Sequence, residues 1–432
     1  MTSDTAPGEA FVWIWLPDRT EPVVAGRLAR VDGQFVFNYG RSYLQRQDAI
    51  PIYLPELPLR LGALPPAAGL TMPSCLRDAA PDAWGRRVIL NRRFGRKGRE
   101  VDTADIDELT YLLESGSDRI GALDFQASPT RYEPRQAAGA TLEELLDAAR
   151  RVEDGTPLTP ELDQALFDGS SLGGARPKAM IVEGDKKYIA KFSSRTDVTN
   201  VVKGEFVAMR LAALVGLDVA HVELAKVDVK DVILIERFDR EKVDAGWQRN
   251  AMVSALTLFG LDEMMARYAS YEDLATIIRH RFTAPKETLR ELFGRLVFNI
   301  LCGNTDDHAR NHAAFWTGKD LRLTPAYDIC PQPRAGNEAS QAMLITGDER
   351  SSRIAVCLEA AANFLLSPHD AAAVAEHQIR TITEGWPGLC RDAGLSEVER
   401  NLLWRRQILN PFAFEGAPMH LADLLAATDR PG

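Results

Sequence analysis

Residues 297–316, VFNILCGNTDDHARNHAAFW, pass from an apolar run straight into a crowd of polar groups. Upstream, KETLRELFGRLVFNILCG carries the spacing of a helix. The largely apolar stretch 292–302 predicts that this helix is buried. Yet Asn304, Asp306, Asp307, His308, Asn311 and His312 follow within nine residues. A fold of this chain must bury a helix, then surface it beside two carboxylates, two imidazoles and two amides, each needing a partner. Helix capping and a solvated loop would use some of these groups. So many of them against a core helix point instead to a functional loop.

The rest of the chain falls into three consecutive patterns. In the first hundred residues, FVWIWL and PVVAGRLARVDGQFVFNYG are strand-like, and Asp32-Gly33 marks a hairpin. A Pro-rich loop follows, then LRDAAPDAWGRRVILNRRF as helix. TLEELLDAARRVEDG is a helix with a Thr141/Glu144 capping box and a stop at Gly155. PKAMIVEGDKKYIAKF reads as strand, turn, strand, and KGEFVAMRLAALVG as an amphipathic helix ending in Gly216. VAHVELAKVD and DVILIERFD are two further strands, and after residue 245 the pattern is helical. The expected class is α+β, in segments 1–110, 111–240 and 241–432, with β-rich regions first and a helical lobe last.

A net charge of −10 argues against a chain whose main business is gripping phosphate backbones. The basic run GRRVILNRRFGRKGR (85–99) reads by itself as a solvated surface. Five cysteines without a CxxC pair fit a reducing compartment. The polar start and the short apolar runs give no secretory signal or membrane span, so the expectation is a cytoplasmic protein with no membrane partner.

Three further stretches carry chemistry. SSLGGARPKAMI (170–181) is a Gly-rich loop leading into a strand, able to bring backbone N–H groups close to a phosphate but lacking the Walker A pattern. Lys191 in YIAKFS sits among apolar neighbours. It either points to water from an edge strand or meets an anion, a phosphate or a carboxylate such as Glu205 on the following helix. ILIERFDR (233–240) takes an apolar strand out into charged residues. Asp306 and Asn311 are spaced as the base and the magnesium-binding asparagine of kinase catalytic loops, and Asp328 in LTPAYDIC follows as a later aspartate would. The H-R-D and D-F-G strings are absent, which excludes an ordinary eukaryotic-type protein kinase.

Taken in order, SLGGARPKA, YIAKF, KGEFVAMRLA, ILIERFDR, GNTDDHARNHA and LTPAYDI resemble the HipA family, the kinase toxins of bacterial type II toxin–antitoxin systems. FVFNYGRSYL and LRDAAPDAWGRRVI resemble its N-terminal subdomain, so the likeness runs from about residue 11 to residue 410. The resemblance implies a two-lobed, protein-kinase-like fold using ATP and Mg²⁺. Asp306 would be the catalytic base, and Asn311 and Asp328 the magnesium ligands. Lys191 would hold the ATP phosphates, with the loop around Gly173, Gly174 and Ala175, and Glu236 and Phe238 would lie in the adenine-binding connection. Ser171 would be the autophosphorylated, self-inhibiting serine, with Ser170 beside it. His308 is expected to brace the loop by hydrogen bonding at the nucleotide site. Asp307 stands where relatives often carry a small residue, which points to altered substrate or metal contacts, and the resemblance gives His312 no role. The RPK end of the Gly-rich loop also departs from the family's polar-acidic one. The implied partners are a protein substrate such as an aminoacyl-tRNA synthetase, a small helix-turn-helix (HipB-like) antitoxin and, mainly through it, operator DNA.

Two rival functions remain. A metal-dependent hydrolase would use Asp306, His308, His312 and Asp328 as ligands, but it leaves Lys191 and the Gly-rich loop without work. A non-catalytic ATP-binding scaffold or co-repressor is opposed by the intact set Lys191, Asp306, Asn311 and Asp328.

Overall fold

Asp32 and Gly33 have φ of 50° and 83°, the paired positive values that a two-residue hairpin turn needs to follow strand twist. They close a four-stranded sheet made of β1 (Glu9–Ile14), β2 (Val23–Val31), β3 (Gln34–Tyr39) and β4 (Leu123–Gln126), in the order β3-β2-β1-β4. β5 (Lys178–Glu183) and β6 (Lys186–Phe192) pair antiparallel across a turn at Gly184, whose φ is 57°. With β7 (Val222–Val227) and β8 (Lys230–Glu236) they form a second sheet, ordered β5-β6-β8-β7. A computed structural model supplies these coordinates and describes residues 7–95, 101–135, 140–166, 171, 176–194, 197, 199–334 and 336–427.

The chain forms two units that interleave along the sequence. One comprises Met1–Ser194, Lys226–Val253 and Phe315–Lys319; the other comprises Arg195–Ala225, Ser254–Ala314 and Asp320–Gly432. From sequence the chain reads as three consecutive segments, whereas the contacts group the N-terminal sheet with most of the second sheet. They also group the helix Val201–Leu214 with the C-terminal helices. That helix packs against the long helix Pro368–Asp392, where a Cβ on Gly385 would come within 2.9 Å of Leu214, and Lys203 donates to the Gly394 carbonyl at 2.8 Å.

In the first unit, β9 (Arg240–Val243) and β10 (Gly246–Arg249) form a hairpin, whose second strand falls where the sequence reads as helical. Its residues show no apolar alternation, because the buried side chains at its paired ends are Arg240 and Arg249. In the basic run near residue 90, three of the described arginines pair with acids on the helix Glu108–Glu114. Arg86 pairs with Glu108 at 2.8 Å, and Arg92 and Arg93 pair with Glu114. The Thr141/Glu144 capping box is present on Leu142–Glu153. All five cysteines are buried, and none is in a disulfide. Among the described residues, no helix is long and apolar enough to cross a membrane.

The second unit is organised around the helix Pro285–Cys302, buried at every position from Leu292 to Cys302. Its polar residues inside that stretch are all employed. Arg295 pairs with Glu291 at 2.8 Å and donates to the carbonyls of Asp218 (3.1 Å) and Thr324 (2.9 Å). Gln378 donates to the Gly294 carbonyl at 2.8 Å. The helix ends at Gly303 in the left-handed region (φ 76°), where a Cβ would lie 2.6 Å from the Gln407 carbonyl oxygen. Gly303→Ala therefore combines a left-handed penalty with a backbone clash. It is expected to cost about 2 kcal/mol or more, read as a lower urea midpoint with an unchanged slope.

Candidate active site

The loop after Gly303 is fastened from both sides. The Asn304 N–H bonds to the Asn299 carbonyl at 2.8 Å, and its side chain donates to Asn299 Oδ1 at 3.0 Å. The N–H groups of Gln332 and Ala342 bond to the carbonyls of Gly303 (3.0 Å) and Thr305 (3.1 Å). Within the loop, the His308 N–H bonds to the Asp306 carbonyl at 2.9 Å, and the Asn311 N–H to the His308 carbonyl at 2.8 Å. Asn311 Nδ2 donates to the Asp306 carbonyl at 3.2 Å. The fold thus brings Asp306 and Asn311 together, with the Asn311 nitrogen engaged and its Oδ1 left as a hard oxygen donor.

Asp328 reaches the same unit on a separate segment. The Ala326 N–H bonds to the Asp218 carbonyl at 2.8 Å and the Ala326 carbonyl accepts from the Ala220 N–H at 2.9 Å, while Tyr327 O–H donates to the Arg310 carbonyl at 2.7 Å. Asp328 has φ of 58°, a strained value for a non-glycine residue that the surrounding bonds hold in place. Asp306 is exposed, and its pKa is raised. Partial desolvation is the main cause; His308 opposes it, and the neighbouring carboxylates of Asp328 and Asp307 add to it. A carboxylate whose proton affinity is raised by a second carboxylate nearby, beside an amide oxygen, suits a hard divalent cation such as Mg²⁺. Among the described residues, no group of three or more His, Cys, Asp or Glu side chains forms a metal cluster.

Behind the loop lies a buried cluster that the sequence left unassigned. Asp307 and His312 are each 3% exposed and meet at 3.0 Å. The fully buried Tyr271 donates its hydroxyl to Asp307 and sets its ring edge-on to His312, with centroids 5.4 Å apart. Burial alone would raise the Asp307 pKa, but His312 and the hydrogen bonds from His312 and Tyr271 outweigh it and hold the carboxyl below its usual value. Burial, reinforced by the Asp307 charge, raises Tyr271 well above the ordinary phenol value. Asp307 therefore faces inward, which corrects the expectation of altered substrate or metal contacts. His312, not the His308 side chain, braces the loop by hydrogen bonding, and His308 contributes through its backbone. The hydrolase reading also loses His312 as a ligand. The only sequence signal for this cluster was the i, i+5 spacing of Asp307 and His312, and Tyr271 lies 36 residues away in sequence.

In the first unit, Lys191 lies on β6 opposite Lys178 and Ile233 and is 8% exposed, so the water-facing alternative fails. Glu205 is buried within the second unit. Glu236 ends β8 and pairs with Lys186 at 2.6 Å. Phe238 is half-buried and packs edge-on against Phe315, with centroids 5.9 Å apart. Ser171 is buried; Ser170, Gly173, Gly174 and Ala175 lie outside the described residues.

Family models for the HipA N-terminal domain and the HipA-like C-terminal domain match residues 14–126 and 170–386. The Sinorhizobium fredii protein Y4mE is 25% identical over 334 residues, spanning 69% of this chain and 74% of the relative. The serine/threonine-protein kinase toxin HipA of Shewanella oneidensis is 24% identical over 264 residues, spanning 51% of this chain and 59% of the relative. The solved complex of Shewanella oneidensis HipA with HipB and its operator DNA is similar in structure, with a TM-score of 0.65, 19% identity and 96% of each chain covered. That likeness shows the fold, a mixed helix-and-sheet, two-lobed, kinase-like one.

Removing the Asp307 charge leaves His312 and Tyr271 with a weaker buried partner. Asp307→Asn is expected to destabilise the protein by about 3 kcal/mol near neutral pH. Because the folded pKa lies below the unfolded one, the wild-type contribution is full above the unfolded value, about 3.9, and is lost as pH falls through the folded value. Denaturant unfolding of the variant between about pH 5 and pH 3 should accordingly show a shallower acid-side decline than the wild type.

Proposed function

From the premise that the chain belongs to the HipA family, we propose that it is an ATP- and Mg²⁺-dependent protein serine/threonine kinase, the toxin of a type II toxin–antitoxin module. The observation that carries this reading is the Asp306–Asn311 pairing, held over a buried brace and electrostatically coupled to Asp328.

Asp306 orients the attacking hydroxyl and accepts its proton. Its raised pKa makes the carboxylate a better base than an ordinary aspartate. Asn311 Oδ1 and the Asp328 carboxylate hold the magnesium ion, which when bound supplies positive charge against the phosphates. The short span from Asp306 to Asn311, closed by a side-chain-to-backbone bond, keeps base and ligand in fixed register, so little ordering remains for the reactive complex. Lys191, buried on its strand, serves the ATP phosphates, and its burial strengthens that interaction. The backbone at Glu236–Phe238 receives adenine, and the Gly-rich loop at Gly173, Gly174 and Ala175 covers the phosphates. A phosphate on Ser171 would compete for the same cradle and shut the kinase down. The acceptor is a serine or threonine of a protein, such as a translation component. A HipB-like helix-turn-helix antitoxin neutralises the toxin and brings it to operator DNA, a reading supported by the similar solved structure, a complex of HipA with HipB and its operator DNA.

Incubation with Mg-ATP followed by mass spectrometry tests the reading. Phosphate is expected on Ser170 or Ser171 in the wild type. Asp306→Asn should lower transfer by at least about a hundredfold while ATP binding, followed by calorimetry, stays close to wild type. Full transfer by the variant would overturn the assignment of the base. ATP binding without transfer in either protein would favour the scaffold.

A further inference from the structure

Asp118 occupies the centre of a buried charge cluster in the first unit. Its Oδ1 accepts from Arg240 Nε at 2.9 Å and from Arg237 Nη1 at 3.2 Å, and its Oδ2 accepts from Lys187. Asp239 accepts from Arg237 Nε (2.9 Å) and Nη2 (2.7 Å), from Arg240 Nη1 (2.9 Å) and from the Gly121 N–H (2.8 Å). The guanidiniums then reach backbone carbonyls of the 117–121 turn. Arg237 donates to Asp118 (2.9 Å) and Arg119 (2.7 Å), Arg240 to Gly121 (2.9 Å), and Arg249 to Ser117 (2.8 Å). The side chains of this cluster are all buried.

The cluster grips the segment whose backbone is proposed to receive adenine. Arg237 and Asp239 are buried in it, while Glu236 and Phe238, before and between them, are half-exposed. The Arg237 N–H also bonds to the Lys187 carbonyl at 2.8 Å, and Lys187 bonds Asp118 with its side chain. Apolar packing could join the same elements, but it is non-directional. Forked guanidinium–carboxylate bonds set position and orientation together. Such control matters for a backbone that reads a base edge, because adenine offers a donor at N6 where guanine offers an acceptor at O6.

We infer that Asp118, acting with Arg237, Asp239 and Arg240, is a positioning residue for nucleobase recognition: it holds the 236–238 backbone in the register that selects adenine. This rests on the kinase reading above. The effect belongs to the base and not to the phosphates, so it separates from a general loss of folding.

The test uses the full chain and three probes with Mg²⁺: ATP, GTP and inorganic tripolyphosphate, with affinities from calorimetry. Asp118→Asn keeps the shape and removes the charge. It should weaken ATP about tenfold while changing tripolyphosphate less than about twofold, and so narrow the ATP/GTP preference. Arg237→Lys keeps the charge but cannot bridge Asp118 and Asp239 with one fork, and it should shift the preference the same way. The second variant decides the matter if the first fails to fold. Equal losses for ATP and tripolyphosphate, or an unchanged ATP/GTP preference in the folded variants, would show a merely structural role and overturn the inference alone. A wild type that binds neither ATP nor tripolyphosphate would overturn the kinase reading and the inference with it.

Discussion

The helix Pro285–Cys302 is buried along its last eleven residues and must still deliver polar groups to the surface. At the exit Gly303 turns left-handed, the Asn304 amide nitrogen bonds back to Asn299, and Asp307 turns inward onto His312 and Tyr271, while Asn304 Oδ1 and His312 Nδ1 are buried without a protein partner among the described residues. An unpaired buried carboxylate at Asp307 would oppose burial of the helix end itself. The same bonds leave Asp306 outward and exposed, one residue away from a side chain that is almost fully enclosed. Burial of one aspartate and exposure of its neighbour is the constraint on which the loop depends.

The two units use one device twice. Behind the loop at residues 304–312, a carboxylate is held by an imidazole and a phenol; beneath the 236–239 segment, two carboxylates are held by a lysine and arginines. In both places charge is taken out of water next to a half-exposed or exposed segment. Such clusters are weak evidence for stability, since desolvation offsets much of their attraction. Their strength is geometric, because forked and charge-assisted bonds tolerate little displacement. A segment that must present groups to a ligand gains from a rigid, directional support more than from a fluid one.

Much of the fold is legible locally. The Asp32-Gly33 turn, the Thr141/Glu144 box and the glycine stop at Gly216 are short-range effects, and the structure carries each of them. The β9–β10 hairpin is not legible, because arginines occupy its buried positions and an apolar alternation never arises. Nor is the grouping of Val201–Leu214 with the C-terminal helices, since neighbours such as Leu214 and Gly385 are far apart in the chain. In the loop, the spacing of Asp306 and Asn311 was readable, while the inward turn of Asp307 required Tyr271, which no local pattern links to it.

By itself the sequence determined the types and order of most elements, the buried helix, and the crowd of polar residues that follows it at 304–312. These follow from periodicity, backbone preference and chemical type, which act over a few residues. Only the tertiary structure decided which of two adjacent aspartates is buried, that His312 and not the His308 side chain braces the loop, that Lys191 is enclosed, and that Asp118 lies beneath the 236–239 segment. Those outcomes depend on which distant groups come to share a desolvated space, where a charge must find a partner and cannot choose water.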